Sequence, residues 1–198
     1  MKIIFATKNK HKLREVREIL SDLPFEILSL DDLNLNIEIE EGHNSFEENA
    51  QKKAQAIFEL TGIPTIADDS GLMVEALGGL PGVHSARYAG EKASYEKNNE
   101  KLLDELKNIP PPRRAKFVCI VNLKTHEFDE IFVGICEGEI IDEPRGENGF
   151  GYDPLFKPDG YDQTFAELPS EIKNKISHRR RALDNLRIFL ERYQSRIY

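Results

Sequence analysis

The sequence predicts a mixed α/β fold in which helices flank an elongated central sheet, and three observations carry this prediction. Short apolar runs alternate with segments of helical period in the first half of the chain. Two long runs rich in β-branched residues, 115–123 and 128–137, then follow each other and predict a central antiparallel pair. The 198 residues contain no internal repeat and no long linker, so we expect a single domain over residues 1–198.

The first half of the chain predicts strand, helix, strand and helix in that order. Residues 2–6 (KIIFA) and 25–30 are short apolar runs, and apolar side chains recur at helical spacing between them. Ser45 with Glu48 three positions later is typical of a capping box. We therefore expect the second helix to begin just after Ser45.

The remaining elements follow from apolar patterning and from glycine. Residues 63–67 predict a buried strand that ends at the polar tetrad 68–71 (DDSG). Residues 95–107 predict an amphipathic helix, and residues 146–153 (GENGFGYD) predict a glycine-rich loop. The last helix is expected over about residues 177–194.

Composition indicates an ordinary globular protein. Hydrophobic residues make up 39% of the chain and charged residues 31%. No apolar run approaches the roughly 20 residues that cross a bilayer, and the early lysines are unlike a secretory signal. Cys119 and Cys136 lie in apolar, β-branched runs, where a free thiol behaves as a small core hydrophobe. We expect a cytoplasmic protein with no membrane partner.

The formal net charge of −8 is unevenly distributed along the chain. Residues 31–75 contain eleven acids and two lysines, whereas residues 171–198 contain eight Lys or Arg and three acids. This pattern indicates either two solvated faces of opposite sign or a metal-binding cluster facing a phosphate-binding cluster. The acidic balance disfavours a nucleic-acid partner, and the basic last segment keeps duplex binding as an alternative to test.

A candidate anion site follows the first strand. Its residues are Thr7, Lys8, Asn9, Lys10, His11 and Lys12. Backbone N–H groups at a helix start attract anions, and we expect the three ammonium groups to converge there. The segment contains no glycine, so it is neither a Walker loop nor a dinucleotide fingerprint. The alternative is a surface loop with an exposed basic first turn, and spacing alone does not choose between the two.

Asp68 and Asp69 form a candidate metal site. Adjacent carboxylates at a strand end either share a cation or form a solvated turn. Carboxylate oxygens favour Mg²⁺, which commonly takes one or two carboxylates together with substrate phosphates. Glu40 and Glu41, just ahead of Gly42, can complete such a cluster.

A loop late in the chain has side chains suited to a planar base. Phe150, Gly151, Tyr152 and Asp153 supply aromatic faces, a close backbone approach and a carboxylate acceptor. Taken alone, such a loop also suits a purely structural role.

Basic residues near the last helix are suited to phosphates or to a purine carbonyl. They are Lys173, His178 and Arg179. A basic solvated helix face is the alternative. The nucleophile motif GxSxG and the metalloprotease motif HExxH are both absent, which argues against those hydrolase classes.

Six motifs in order resemble the inosine triphosphate pyrophosphatase family over nearly the whole chain. They are TxNxxK at 7–12, SFEENA at 45–50, ADDSGL at 67–72, GGLPGVHSARY at 78–88, GFGYDP at 149–154 and KNKISHR at 173–179. That family hydrolyses non-standard purine nucleoside triphosphates such as ITP, dITP and XTP to the monophosphate and pyrophosphate. The resemblance implies the same activity here, in a homodimer whose elongated α/β subunits have two lobes with a cleft between them.

The resemblance also implies a role for individual residues. Asp69 matches the catalytic proton acceptor and a Mg²⁺ ligand, and Glu40 matches the other metal ligand, so Mg²⁺ is the expected cofactor. The positions that match the substrate-binding set are Thr7, Lys8, Asn9, Lys10, His11, Lys12, Ser70, Phe150, Gly151, Tyr152, Asp153, Lys173, His178 and Arg179.

Three other functions are kept as alternatives. The related septum-formation-protein nucleotide pyrophosphatases act on other, often pyrimidine or modified, triphosphates, and the FGYD and SHR motifs argue against them. A nucleotide sensor without turnover is disfavoured by the set Lys12, Glu40 and Asp69. A nucleic-acid binder that uses the basic last segment predicts duplex affinity that falls steeply with salt.

Overall fold

The computed structural model describes residues 2–37, 39, 42 and 44–193. The strands are β1 (Lys2–Phe5), β2 (Glu26–Leu28), β3 (Thr65–Val74), β4 (Arg114–Lys124), β5 (Asp129–Ile140) and β6 (Phe156–Pro158). The helices are α1 (Lys10–Ile19), α2 (Phe46–Thr61), α3 (Tyr95–Leu106), α4 (Ser170–Ile176) and α5 (His178–Tyr193). Three short 3₁₀ helices span Asp31–Leu33, Glu75–Leu77 and Gly82–Arg87.

The six strands form a mixed sheet in the order β2-β1-β3-β4-β5-β6. Strand β1 is parallel to both β2 and β3, and β5 is antiparallel to β6. Strands β4 and β5 are neighbours joined by residues 125–128, a connection too short for a parallel crossover. The predicted mixed sheet and its central antiparallel pair are therefore confirmed.

Strand β3 corrects one prediction. The strand was expected to end before Asp68, yet it continues through Asp68 and Asp69 to Val74. Asp has a low strand propensity, but here buried ion pairs stabilise the Asp68 carboxylate, and tertiary contacts override the local preference. Because side chains alternate along a strand, Asp68 and Asp69 point to opposite faces of the sheet.

The described residues group into two compact units. Unit 1 takes them from Met1–Asp69, Cys119–Gly134 and Arg179–Tyr198, and unit 2 takes them from Ser70–Val118 and Ile135–His178. The expected single domain over residues 1–198 and the expected cleft both stay predictions.

Unit 1 has helices on both faces of its part of the sheet. Ile3 and Phe5 of β1 belong to one apolar cluster with residues of α1 and α5, whereas Ile4 belongs to another with Ala54 and Ile57 of α2. Successive residues of a strand face opposite ways, so α2 covers the face opposite to α1 and α5.

Unit 2 has its own apolar core. Leu72 of β3, Leu102 of α3 and Phe117 of β4 are buried in it together with Phe156 and Phe165. Both cysteines are buried and free, as predicted. In the part of the chain that the structure describes, no helix is long and apolar enough to cross a membrane.

Candidate active site

The Asp68 carboxylate is the charged centre of unit 1. Its side chain is 1% exposed, and Lys12 Nζ lies 3.0 Å from its Oδ1. Nε and Nη2 of Arg179 lie 3.2 and 3.1 Å from its Oδ2. Burial alone raises the pKa of Asp68, but the cations of Lys12 and Arg179 outweigh burial and hold this pKa well below its usual range. Asp68 is therefore ionised, and its carboxylate binds the side chains of Lys12 and Arg179.

Arg179 is buried between two carboxylates. Its guanidinium donates to Glu15 through Nη1 as well as to Asp68. Burial alone lowers the pKa of Arg179, but the carboxylates of Glu15 and Asp68 outweigh it and raise this pKa. Burial, and then the charge of Asp68, also raise the pKa of the Cys119 thiol to about 12, so this thiol stays protonated. These contacts make Arg179 part of the packed interior, and its predicted contact with substrate stays a prediction.

Asp69 is held by a neutral donor on helix α2. Its Oδ2 accepts a hydrogen bond of 2.8 Å from Nδ2 of Asn49, and the residue is 8% exposed. One turn later on the same helix, Lys53 Nζ donates to the main-chain oxygen of Asp68 over 2.7 Å. Residues four apart share one helix face, so α2 presents an amide and an ammonium to the same stretch of β3.

The predicted anion loop is capped by one of its own side chains. Oδ1 of Asn9 accepts hydrogen bonds from the N–H groups of His11 and Lys12, at 2.9 and 3.2 Å. The N–H of Asn9 in turn donates to Oγ1 of Thr7 over 3.1 Å. Two of the N–H groups expected to attract an anion are therefore engaged by Asn9, which fixes the shape of the loop.

The lysines of this loop do not converge as predicted. Lys12 reaches inward to Asp68, whereas Lys10 lines a groove of about 720 Å³ together with Arg14, Arg17 and Asp32. Residues two apart point to different sides of a helix, so Lys10 and Lys12 diverge once α1 begins at Lys10. Lys8 and His11 are exposed. The binding roles of these residues stay predictions.

The predicted base-binding loop of unit 2 is organised by Asp153. Its Oδ2 accepts from the N–H of Phe150 over 2.8 Å and from Lys173 Nζ over 2.7 Å. The Lys173 ammonium also lies 4.8 Å from the centre of the Phe150 ring. Gly149 has φ +73°, and a Cβ there would lie 2.0 Å from Oδ2 of Asp153, so only glycine fits. Asp153 and Lys173 are both buried and fix the position of Phe150.

Tyr152 and His178 are packed within unit 2. The Tyr152 hydroxyl donates to the main-chain oxygen of Ser85 over 2.8 Å, and burial raises the pKa of this phenol. The His178 ring stacks on Phe117, with ring centroids 4.7 Å apart and an angle of 13° between the ring planes.

The last two predicted substrate-binding residues are Ser70 and Gly151. Ser70 is half-buried in β3. The main-chain oxygen of Gly151 accepts a hydrogen bond from the side chain of Asn99.

Five residues that contact the predicted site residues were not predicted from the sequence. They are Glu15, Asn49, Lys53, Asn99 and Phe117. The i, i+4 spacing of Asn49 and Lys53 beside the acidic first turn of α2 is a signal that was available. Glu15 and Asn99 contact residues 164 and 52 positions away, and no local pattern reveals such pairs.

The donor chemistry at Asp69 fits Mg²⁺. This ion prefers carboxylate oxygens and needs only one or two of them when phosphates and water complete its shell. Among the described residues, no group of three or more His, Cys, Asp or Glu side chains is arranged to hold a metal. Glu40, the predicted second ligand, and Glu41 lie outside the described residues.

Fold and side chains define a mixed α/β protein that carries an oriented carboxylate with nearby cations in unit 1 and an aromatic, carboxylate-organised loop in unit 2. The model of the Ham1 family matches residues 3–189, and the chain belongs to this family.

Curated relatives and solved structures agree with this assignment. The chain is 52% identical over 184 residues to a dITP/XTP pyrophosphatase of Geobacter sulfurreducens, covering 92% of each protein. It is 47% identical over 189 residues to a dITP/XTP pyrophosphatase of Porphyromonas gingivalis, covering 96% of this chain and 97% of the relative. The Ham1 protein of Staphylococcus aureus superposes with a TM-score of 0.87 at 43% identity, covering 96% of this chain and 98% of that one.

Proposed function

We propose that this chain hydrolyses non-standard purine nucleoside triphosphates, namely ITP, dITP and XTP, to the monophosphate and pyrophosphate. The observation that carries the proposal is the Asp69 carboxylate, which Asn49 holds on β3. The preceding residue, Asp68, binds the cations of Lys12 and Arg179. The names of the relatives, at about half identity over nine-tenths of the chain, support the same reaction.

The chemical problem is the attack of water on a phosphorus atom that about four negative charges shield. Asp69 orients or deprotonates the water that attacks the α-phosphorus, and pyrophosphate leaves. Lys12 donates one hydrogen to Asp68, and an ammonium has three, so the others are available to phosphate oxygens. Lys12 thereby positions the phosphates while it stays anchored by Asp68.

Asp69 and Glu40 would hold Mg²⁺ at this site. The ion would supply positive charge that offsets the negative charge developing on the phosphates in the transition state. Asp69 thus combines the roles of metal ligand and proton acceptor.

Recognition of the base is assigned to Phe150 and His178 of unit 2 and to Arg179 of unit 1. Phe150, fixed by Asp153 and Lys173, supplies a ring face for stacking. His178 and Arg179 supply donors for the 6-oxo group that hypoxanthine and xanthine carry. Adenine has an amino group at this position and leaves such a donor unpaired, which costs about 1–3 kcal/mol per group.

Two further properties belong to the proposal. The chain acts as a homodimer, on the strength of the resemblance of its six motifs, and sedimentation tests this state. It works in the cytoplasm, where the buried free thiols of Cys119 and Cys136 stay reduced.

A panel of triphosphates tests the proposed function. With Mg²⁺ present, the wild-type chain is offered ITP, dITP, XTP, ATP, GTP, dTTP and UTP, and pyrophosphate and orthophosphate are measured separately. We expect rapid pyrophosphate release from the first three only, with no orthophosphate. The variant Asp69→Asn, purified as a folded protein, tests the role of Asp69. Its turnover of ITP should be at least about 10³-fold lower than that of the wild type, as removal of a catalytic group causes.

Other results would contradict the proposal in different ways. Preference for dTTP or UTP supports the septum-formation class of pyrophosphatase. Stoichiometric ITP binding without pyrophosphate supports a sensor. Unchanged turnover in Asp69→Asn removes Asp69 from its assigned role.

A further inference from the structure

We propose that Asn49 is a positioning residue that fixes the orientation of the Asp69 carboxylate and ties it to the main chain at Gly42. The inference rests on the proposed function, because it assigns Asn49 to the hydrolytic site around Asp69. Asn49 lies in the SFEENA motif, to which the reaction has so far given no role.

The amide of Asn49 makes three hydrogen bonds at once. Nδ2 donates to Oδ2 of Asp69 over 2.8 Å and to the main-chain oxygen of Gly42 over 3.3 Å. Oδ1 accepts from the N–H of Gly42 over 2.8 Å. A primary amide has two hydrogens to donate, and both are engaged. The side chain therefore joins one carboxylate and both polar groups of one peptide residue.

Helix α2 holds this amide in a fixed place. Ser45 caps the helix, since its Oγ accepts from the N–H of Glu48 over 3.1 Å. Asn49 itself is 1% exposed, so its side chain has little freedom to adopt another rotamer. Further along, Ala54 and Ile57 pack with Ala67, which lies two residues before Asp69 on β3. The helix and the strand thus belong to one packed unit.

The neutrality of Asn49 suits a carboxylate that must bind a cation. A cationic donor at this position would add an opposing charge beside the metal, whereas an amide orients the oxygen without changing the net charge. Asp68 shows the contrast, because Lys12 and Arg179 neutralise it. Asn49 orients the Asp69 carboxylate and adds no charge of its own.

The contact with Gly42 extends the effect along the chain. Gly42 follows Glu40, the proposed second metal ligand, by two residues. Loss of the Asn49 amide is therefore expected to release the main chain at Gly42 as well as the carboxylate of Asp69.

The chain offers a closely matched control in Asn122. This residue is also in unit 1 and is fully buried, and its Nδ2 donates to Oδ1 of Asp129 over 2.8 Å and to the main-chain oxygen of Glu130 over 3.3 Å. These distances repeat those of Asn49 to Asp69 and Gly42, but neither Asp129 nor Glu130 belongs to the proposed site. Asn122→Ala therefore measures the structural cost of losing such an amide.

The experiment compares Asn49→Ala, Asn49→Leu and Asn122→Ala with the wild type. Mn²⁺ serves as the probe, and its binding in the absence of nucleotide is measured by electron paramagnetic resonance. The kcat and KM for ITP and the thermal midpoint are measured alongside. Asn49→Leu keeps a side chain of similar size but removes both donors and the acceptor without adding charge, so it tests the inference if Asn49→Ala fails to fold.

We expect both Asn49 variants to bind Mn²⁺ about 10- to 100-fold more weakly and to lose kcat to a similar extent, with KM for ITP little changed. Asn122→Ala should lower the thermal midpoint while keeping wild-type Mn²⁺ binding and kcat. Folded Asn49 variants with wild-type Mn²⁺ affinity and kcat would overturn the inference. If the wild type binds Mn²⁺ but does not hydrolyse ITP, the proposed function fails, and the Mn²⁺ comparison still decides the role of Asn49.

Discussion

Adjacent carboxylates on β3 have different surroundings, although their residues are chemically identical. Asp68 is 1% exposed and faces Lys12 and Arg179. Asp69 is 8% exposed and accepts a hydrogen bond from a neutral amide. The alternation of a strand separates them, so one is suited to hold cations in the interior and the other to act on a ligand.

Replacement of the first of these carboxylates should affect stability strongly. In Asp68→Asn, Arg179 and Lys12 lose the negative charge that both of them contact. Removing one partner of a buried ion pair typically lowers the free energy of unfolding by about 3–5 kcal/mol. Urea unfolding near neutral pH measures this loss. Asp159→Asn, which breaks the more exposed pair with Arg114, is the control and should cost less than about 1 kcal/mol. Equal losses in the two variants would contradict the central place given to Asp68.

The sequence identified Asp68 and Asp69 as chemical groups but did not separate their roles. The separation depends on partners that are distant in the chain, since Arg179 lies 111 residues from Asp68. No local spacing predicts such a pair. The predicted contact of Arg179 with substrate stays a prediction. The structure adds that its guanidinium lies between Asp68 and Glu15, which the sequence did not predict.

Elements were predicted best where a cap or a long pattern marks them. Helix α2 begins just after its cap Ser45, and helix α3 begins at Tyr95, both as predicted. Strand β6 and helix α4 were missed because their three and seven residues are too short for a clear period. Strand β3 was predicted too short because its aspartates are stabilised by contacts from other elements, which a local pattern does not contain.

Contacts between elements also predict a pH dependence of stability. Arg17 of α1 donates to the main-chain oxygen of Ile27 in β2 and to Asp32. The N–H of Ser29 donates to Asp32 over 2.8 Å, and this bond, the Ser29 hydroxyl and Arg17 together lower the pKa of Asp32. The pKa in the folded state is therefore below the unfolded value of about 3.9.

Because the folded pKa is the lower one, Asp32 contributes stability above about pH 4 that is lost as the pH falls through the folded pKa. Asp32→Asn should give a shallower decline in the free energy of unfolding below about pH 4. The side chain is 43% exposed, so the difference should stay under about 1 kcal/mol. Chemical unfolding at a series of pH values measures it, with the exposed neighbour in Asp31→Asn as the control. If the free energy of unfolding falls equally with pH in the wild type and in Asp32→Asn, Asp32 does not contribute this pH dependence.

The fold class of the whole chain was predictable because the alternation of strand and helix patterns and the long β-branched runs extend over many residues. Membership of the Ham1 family covers residues 3–189 and agrees with the resemblance seen in the six motifs. The resemblance implied two lobes, but the residues at which the chain divides into two units were not predictable. Strands β3, β4 and β5 each contribute residues to both units, and no linker marks a boundary. Unit 1 holds Asp69 and the cations around Asp68, and unit 2 holds the loop around Phe150.

In the proposed reaction, water attacks the α-phosphorus of a non-standard purine triphosphate under the control of Asp69. Hydrolysis of ITP in ¹⁸O-labelled water, followed by mass spectrometry of the products, identifies the phosphorus atom that is attacked. We expect the label in inosine monophosphate and the release of unlabelled pyrophosphate. Label in pyrophosphate, or orthophosphate as the first product, would contradict this mechanism.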